Sequence, residues 1–97
     1  MADGGDGEPQ LAPMDFNVLV LSLRTSAMMH LGKGQDEQGQ APPIDLALAR
    51  QSIDLLAMLE KKTAGNLTGD EERLLSQVLF DLRMEFTAVA KDTQGED

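Results

Sequence analysis

The sequence predicts an all-α domain of three helices, in which the second and third form an antiparallel hairpin and an apolar first helix packs against it. Three observations carry this expectation. Residues 61–72, KKTAGNLTGDEE, hold a helix stop, a tight turn and a helix start in succession. The runs on either side of that segment repeat their apolar residues at helical spacing. A third run, residues 16–31, is nearly continuous in apolar character and carries its own start and stop residues.

At 97 residues the chain has room for one domain. Helix one is expected over about 16–31, with Asp15 as N-cap and Gly32 at the position just past the end, where a left-handed backbone costs least without a Cβ. Its first half, FNVLVLSL, could alternate as a strand, but the continuation RTSAMMHLG favours helix, so one helix is the better element. Residues 32–43, GKGQDEQGQAPP, have the Gly, Gln and Pro content of a flexible loop.

Helix two is expected over about 45–63, with Asp45 as N-cap and Pro42 and Pro43 blocking backward extension. Leu46, Ala49, Ile53, Leu56, Ala57 and Leu59 share one side, Leu48 and Leu55 stand on its shoulder, and Arg50, Asp54 and Lys61 lie opposite. Gly65 fits the position after the helix end, and Lys61 and Lys62 complement the negative end of the helix dipole. Thr68 and Glu71 form a T-x-x-E capping box that opens helix three, expected over about 69–91, and Leu67 reads as a buried plug between the two. Leu74, Leu75, Val78, Leu79, Leu82, Phe86, Val89 and Ala90 occupy its core half. The helical domain is therefore 14–91. The flanking segments 1–13 and 92–97 are acidic and poor in large apolar side chains, a composition that does not repay the entropy of ordering, and are expected to be disordered.

Charge and composition exclude several functions. The formal charge is -9, and six of those charges come from Asp3, Asp6, Glu8, Asp92, Glu96 and Asp97 at the two ends. No basic stripe is available for phosphate contacts, so no nucleic-acid partner is expected. Without cysteine there is neither a disulfide, a thiolate metal site nor a thiol nucleophile. The opening MADGGDGEPQ lacks a signal-peptide pattern, which makes a cytoplasmic location the expectation. Residues 16–31 are interrupted by Asn17, Arg24 and His30 and fall short of the ~20 residues a bilayer span needs, so no membrane association is expected.

The candidates for chemistry have simpler structural roles. His30, the single histidine, stands in the last turn of helix one, where free carbonyls favour a donor, and one imidazole with no cysteine can make a metal site only with carboxylates gathered from elsewhere. Ser22, Ser26 and His30 share a stripe but bring no orienting acid or oxyanion site, and the small Ser22, Ser26 and Ala27 are expected to permit close helix approach. Asp70, Glu71 and Glu72 suit a solvated helix start rather than a calcium loop. GNLTG and GKG lack the spacing of a phosphate-binding loop. Met28, Met29 and Met58, flanked by leucines, read as core filler. No catalytic residue, cofactor or metal is expected, and the chain is read as not an enzyme.

Surplus apolar surface is the remaining signal. Val18 and Met29, Leu21 and Met28, Leu19 and Leu23, and Val20 and Leu31 surround the wheel of helix one, more than two neighbouring helices can cover. Ordering about 60 residues costs about 90 kcal/mol, and burying about 3,400 Å² of apolar surface contributes about 85 kcal/mol, so a lone chain is marginal. A homo-oligomer with helix one at its centre follows, a dimer being the commonest form. Phe80 and Met84 fall on the polar half of helix three and need a second explanation, as part of that interface or as a dock for another protein. The candidate protein interface is thus Leu19, Leu23, Met28, Met29, Phe80 and Met84.

The stretches SLRTSAMMHLG (22–32), ARQSIDLLAMLEKKTAGNLT (49–68) and LFDLRMEF (79–86) together resemble a small bacterial family known as domain of unknown function 1844, over about residues 16–91. The middle stretch is the specific part. The resemblance implies an all-helical domain with variable ends and a variable loop at GKGQDEQGQAPP, and brings no activity, cofactor or catalytic residue. The function expected is that of a non-enzymatic, self-associating protein–protein interaction module. The alternative is an adaptor or regulator that binds another protein through Phe80 and Met84 or its flexible segments, with a small-ligand binder or enzyme as the third reading.

Overall fold

A computed structural model describes residues 14–35 and 37–94. It contains three α-helices, α1 (Phe16–His30), α2 (Leu46–Lys62) and α3 (Gly69–Gln94), and each helix packs against both of the others. Among the described residues there is no strand, so residues 16–23 belong to α1. The expectations for residues 1–13 and 95–97 lie outside the described residues.

The helix ends follow from the local chemistry. The Val18 amide donates to Asp15 Oδ1 at 2.8 Å and the Leu48 amide to Asp45 Oδ1 at 3.0 Å, so both aspartates cap as their positions predict. At α3 the capping box closes in both directions: the Glu71 amide donates to Thr68 Oγ1 at 3.1 Å and the Thr68 amide to Glu71 Oε1 at 2.9 Å. α1 ends in a Schellman turn, with the Gly32 amide on the Met29 carbonyl at 3.0 Å and the Lys33 amide on the Met28 carbonyl at 2.9 Å. Gly32 holds φ +81° there, and Gly65 holds φ +86° after α2.

α3 continues to Gln94, past the end expected near Lys91, and the Thr93 hydroxyl donates to the Val89 carbonyl at 2.8 Å within that extension. The segment after α1 is tied at both ends: besides the Schellman bonds, the Asp45 amide donates to the His30 carbonyl at 2.7 Å, and Lys33 pairs with Glu85 of α3 at 3.6 Å. The last turn of α1 and the start of α2 are thereby fixed together.

The core is apolar throughout, with no buried polar or charged residue among those described. Val20, Ala27, Ile53, Leu56, Leu75, Val78, Leu79 and Leu82 form its main cluster, and Leu31, Ala49 and Val89 form a second. Met28 and Phe86 touch both clusters and join them. The fully enclosed Ala27 and Ala49 present only a methyl, which lets neighbouring backbones approach closely. The large buried leucines, Leu56 and Leu82 among them, each contribute roughly 1.5–3 kcal/mol by leaving water.

Three expectations are corrected by this packing. Met58 is 54% exposed and is not core filler. At about 100° per residue it points away from Ala49, Ile53 and Leu56, so its wheel position prevails over its leucine neighbours. Ser22 and Ser26 are also exposed, and of the three small residues only Ala27 sits at a helix contact. Leu67 is half-buried against the main cluster rather than enclosed.

Candidate functional site

The outward stripe of α3 carries the best-defined surface. Arg73, Gln77, Phe80, Met84, Thr87 and Lys91 recur at alternating steps of four and three residues, the repeat of a helix seam, on the side opposite Leu75, Val78 and Leu82. Phe80 and Met84 stand in its middle, each 58% exposed. They line a surface groove of about 800 Å³ together with the buried Leu79, the cations Arg83 and Lys91, and Glu60 of α2.

Hydrogen bonds fix several side chains around this groove. Gln77 Nε2 donates to Asp81 Oδ1 at 2.9 Å, the Thr87 hydroxyl to the Arg83 carbonyl at 2.9 Å, and the Ser76 hydroxyl to Glu60 Oε2 at 3.5 Å. Arg73 is ion-paired with Asp70 one turn earlier. Next to the groove, Arg50, Ile53 and Asp54 share a smaller cleft with Arg83, Phe86 and Thr87. Glu60 therefore meets Ser76 near the turn, while the earlier residues of α2 face the later residues of α3.

The other candidate residues are spread over α1. Leu19 is exposed, Leu23 is half-buried against the main cluster, Met28 is half-buried between the two clusters, and the sulfur of half-buried Met29 lies beside Gly34 in the following loop. Phe80 and Met84 line the α3 groove, to which none of the four α1 residues contributes, and the α1 residues range from exposed to half-buried. Leu21, Ile44, Leu48, Leu55 and Met58, which lie outside that expected interface, are also exposed. Leu48 and Leu55 carried a signal, since they are two helical turns apart on the shoulder of the α2 face.

His30 is half-buried in the last turn of α1. Among the described residues, no group of three or more histidines, aspartates and glutamates could hold a metal ion. No helix there is long and apolar enough to cross a membrane. The chemistry available at the surface is apolar contact flanked by charge.

No curated protein and no solved structure matches the chain. A family model does: the one described as Domain of unknown function (DUF1844) matches residues 13–88. That span takes in α1, α2 and most of α3, including Phe80 and Met84, and agrees with the stretches that carry the resemblance. On this match the chain belongs to the DUF1844 family.

Proposed function

We propose that this domain is a non-enzymatic protein–protein interaction module that self-associates, most simply as a symmetric dimer, through the outer faces of α1 and α2. The observation that supports this reading is the exposure of Leu19 and Leu21 on α1 together with Leu48, Leu55 and Met58 on α2, two helices that pack on each other. Large apolar side chains on adjoining elements favour a contact that removes them from water. The half-buried Leu23, Met28 and Met29 belong to this reading as support beneath the contact.

Sedimentation equilibrium tests it. A dimer mass is expected at micromolar concentration, falling to the monomer mass in the Leu48→Asp, Leu55→Asp double variant. A wild-type chain that stays monomeric over that range overturns the self-association reading. A second reading, an adaptor that binds another protein through Phe80 and Met84, is favoured by the separate groove on α3.

A further inference from the structure

We infer that the α3 groove is a docking site for an acidic amphipathic helix of another protein, anchored on Phe80 and Met84 and held by the lining cations Arg83 and Lys91. The inference rests on the reading of this domain as an interaction module, but not on its self-association. Its first support is charge. The chain has a net charge of -9, yet the groove is lined by two cations, Arg83 and Lys91, against one anion, Glu60, which already accepts from Ser76. A local excess of positive charge on an acidic protein selects a negatively charged ligand and repels further cations.

The second support is the mismatch with a second copy of α3. A symmetric antiparallel pairing that sets Phe80 on the partner's Met84 also sets Arg73 on Lys91, because each pair straddles the same midpoint of the stripe. A parallel pairing sets every cation on its own copy. Both arrangements place like charges in opposition, which destabilises a helix seam, whereas glutamates on a different helix would meet Arg83 and Lys91 with opposite sign.

The third support is area. At 58% exposure Phe80 and Met84 each offer on the order of 120 Å², taking about 200 Å² for a side chain of that size. Together they fall well short of the ~800 Å² per partner of a stable protein interface. Two anchors one helical turn apart in an open groove instead suit a single amphipathic helix, read through apolar residues at positions three and four apart. Binding of that kind is reversible and salt-dependent.

The test uses the full chain and a labelled synthetic peptide of about 16 residues, with leucines at helical spacing on one face and glutamates on both flanks, followed by fluorescence anisotropy. A matched peptide with lysines for the glutamates serves as control. The acidic peptide is expected to bind and the basic one to bind at least tenfold more weakly. The Arg83→Glu, Lys91→Glu variant should weaken the acidic peptide about tenfold and strengthen the basic one, and Phe80→Asp should abolish both, with helical circular dichroism unchanged.

Equal binding of the two peptides overturns the proposal, as does binding unaffected by Phe80→Asp. If Phe80→Asp lowers the sedimentation mass, the groove is occupied by a second copy, and the proposal fails. If neutralising Asp3, Asp6 and Glu8 raises peptide affinity, the chain's own acidic segment is the occupant, with the same consequence. Loss of the dimer in the Leu48→Asp, Leu55→Asp variant with peptide binding intact separates this site from self-association.

Discussion

Replacing Gly32 by alanine probes the junction on which the arrangement of α1 and α2 depends. Gly32 holds φ +81° in the Schellman turn, a conformation that costs an L-residue with a Cβ about 1–2 kcal/mol. A Cβ built there would also lie 2.8 Å from Ile44 Cγ1, closer than van der Waals contact permits. Ile44 is 52% exposed and can rotate away, so this second cost is about 0.5–1.5 kcal/mol, that of an unfavourable rotamer, rather than that of a backbone collision. Gly65 supplies the internal control, since it has nearly the same angle, φ +86°, with nothing within 4 Å of its Cβ position. Gly65→Ala should therefore cost about 1–2 kcal/mol and Gly32→Ala about 2–3 kcal/mol. In thermal unfolding the extra ~1 kcal/mol should appear as a Tm lower by about 4–8 °C, at one fixed protein concentration because association shifts apparent stability. Urea titration followed by helical circular dichroism measures the same difference, and Ile44→Ala combined with Gly32→Ala should return the cost to that of Gly65→Ala. Equal destabilisation by Gly32→Ala and Gly65→Ala, or a double variant no better than Gly32→Ala, would refute the close-approach argument and leave only the backbone term.

Truncating Leu56, fully enclosed in the main cluster, to alanine should cost about 2–5 kcal/mol through lost burial and a residual cavity, measured by urea unfolding. Met58→Gln should stay within about 0.5 kcal/mol of wild type in the same assay at a protein concentration low enough to keep the chain monomeric, because its side chain is mostly exposed in the single chain. Thr68→Ala and Glu71→Ala should each cost about 0.5–2 kcal/mol, and their double variant less than the sum, since each removes one bond of a reciprocal pair; strict additivity would argue against the capping box.

Local chemistry makes the helices legible in the sequence. Asp15 and Asp45 as caps, Gly32 and Gly65 as stops, and the Thr68 and Glu71 box each act within one turn of chain, so residue type and spacing suffice to determine them. The core of α3 is legible for the same reason: a regular helix fixes which side chains share a face, and Leu75, Val78, Leu79, Leu82 and Val89 are all buried as their spacing requires. Phe80 and Met84 likewise stand out by falling off that face, and both are exposed.

Tertiary packing decided the rest, because a helical wheel shows which residues are neighbours on one helix but not which directions other elements cover. Leu19 and Leu23 stand one turn apart on α1, yet one is exposed and the other is half-covered against the main cluster. Ser22 and Ser26 could have lined a close helix contact, but the contact runs through Ala27 and leaves both serines outside. The grouping of Arg83 and Lys91 with Glu60 of a different helix around two apolar side chains is likewise a property of the assembled fold. By itself, then, the sequence determined three helices, their starts, the stops of the first two and their apolar faces, since those depend on interactions a few residues apart. Which apolar side chains stay in water, and which charges surround them, was settled only when each helix met the other two.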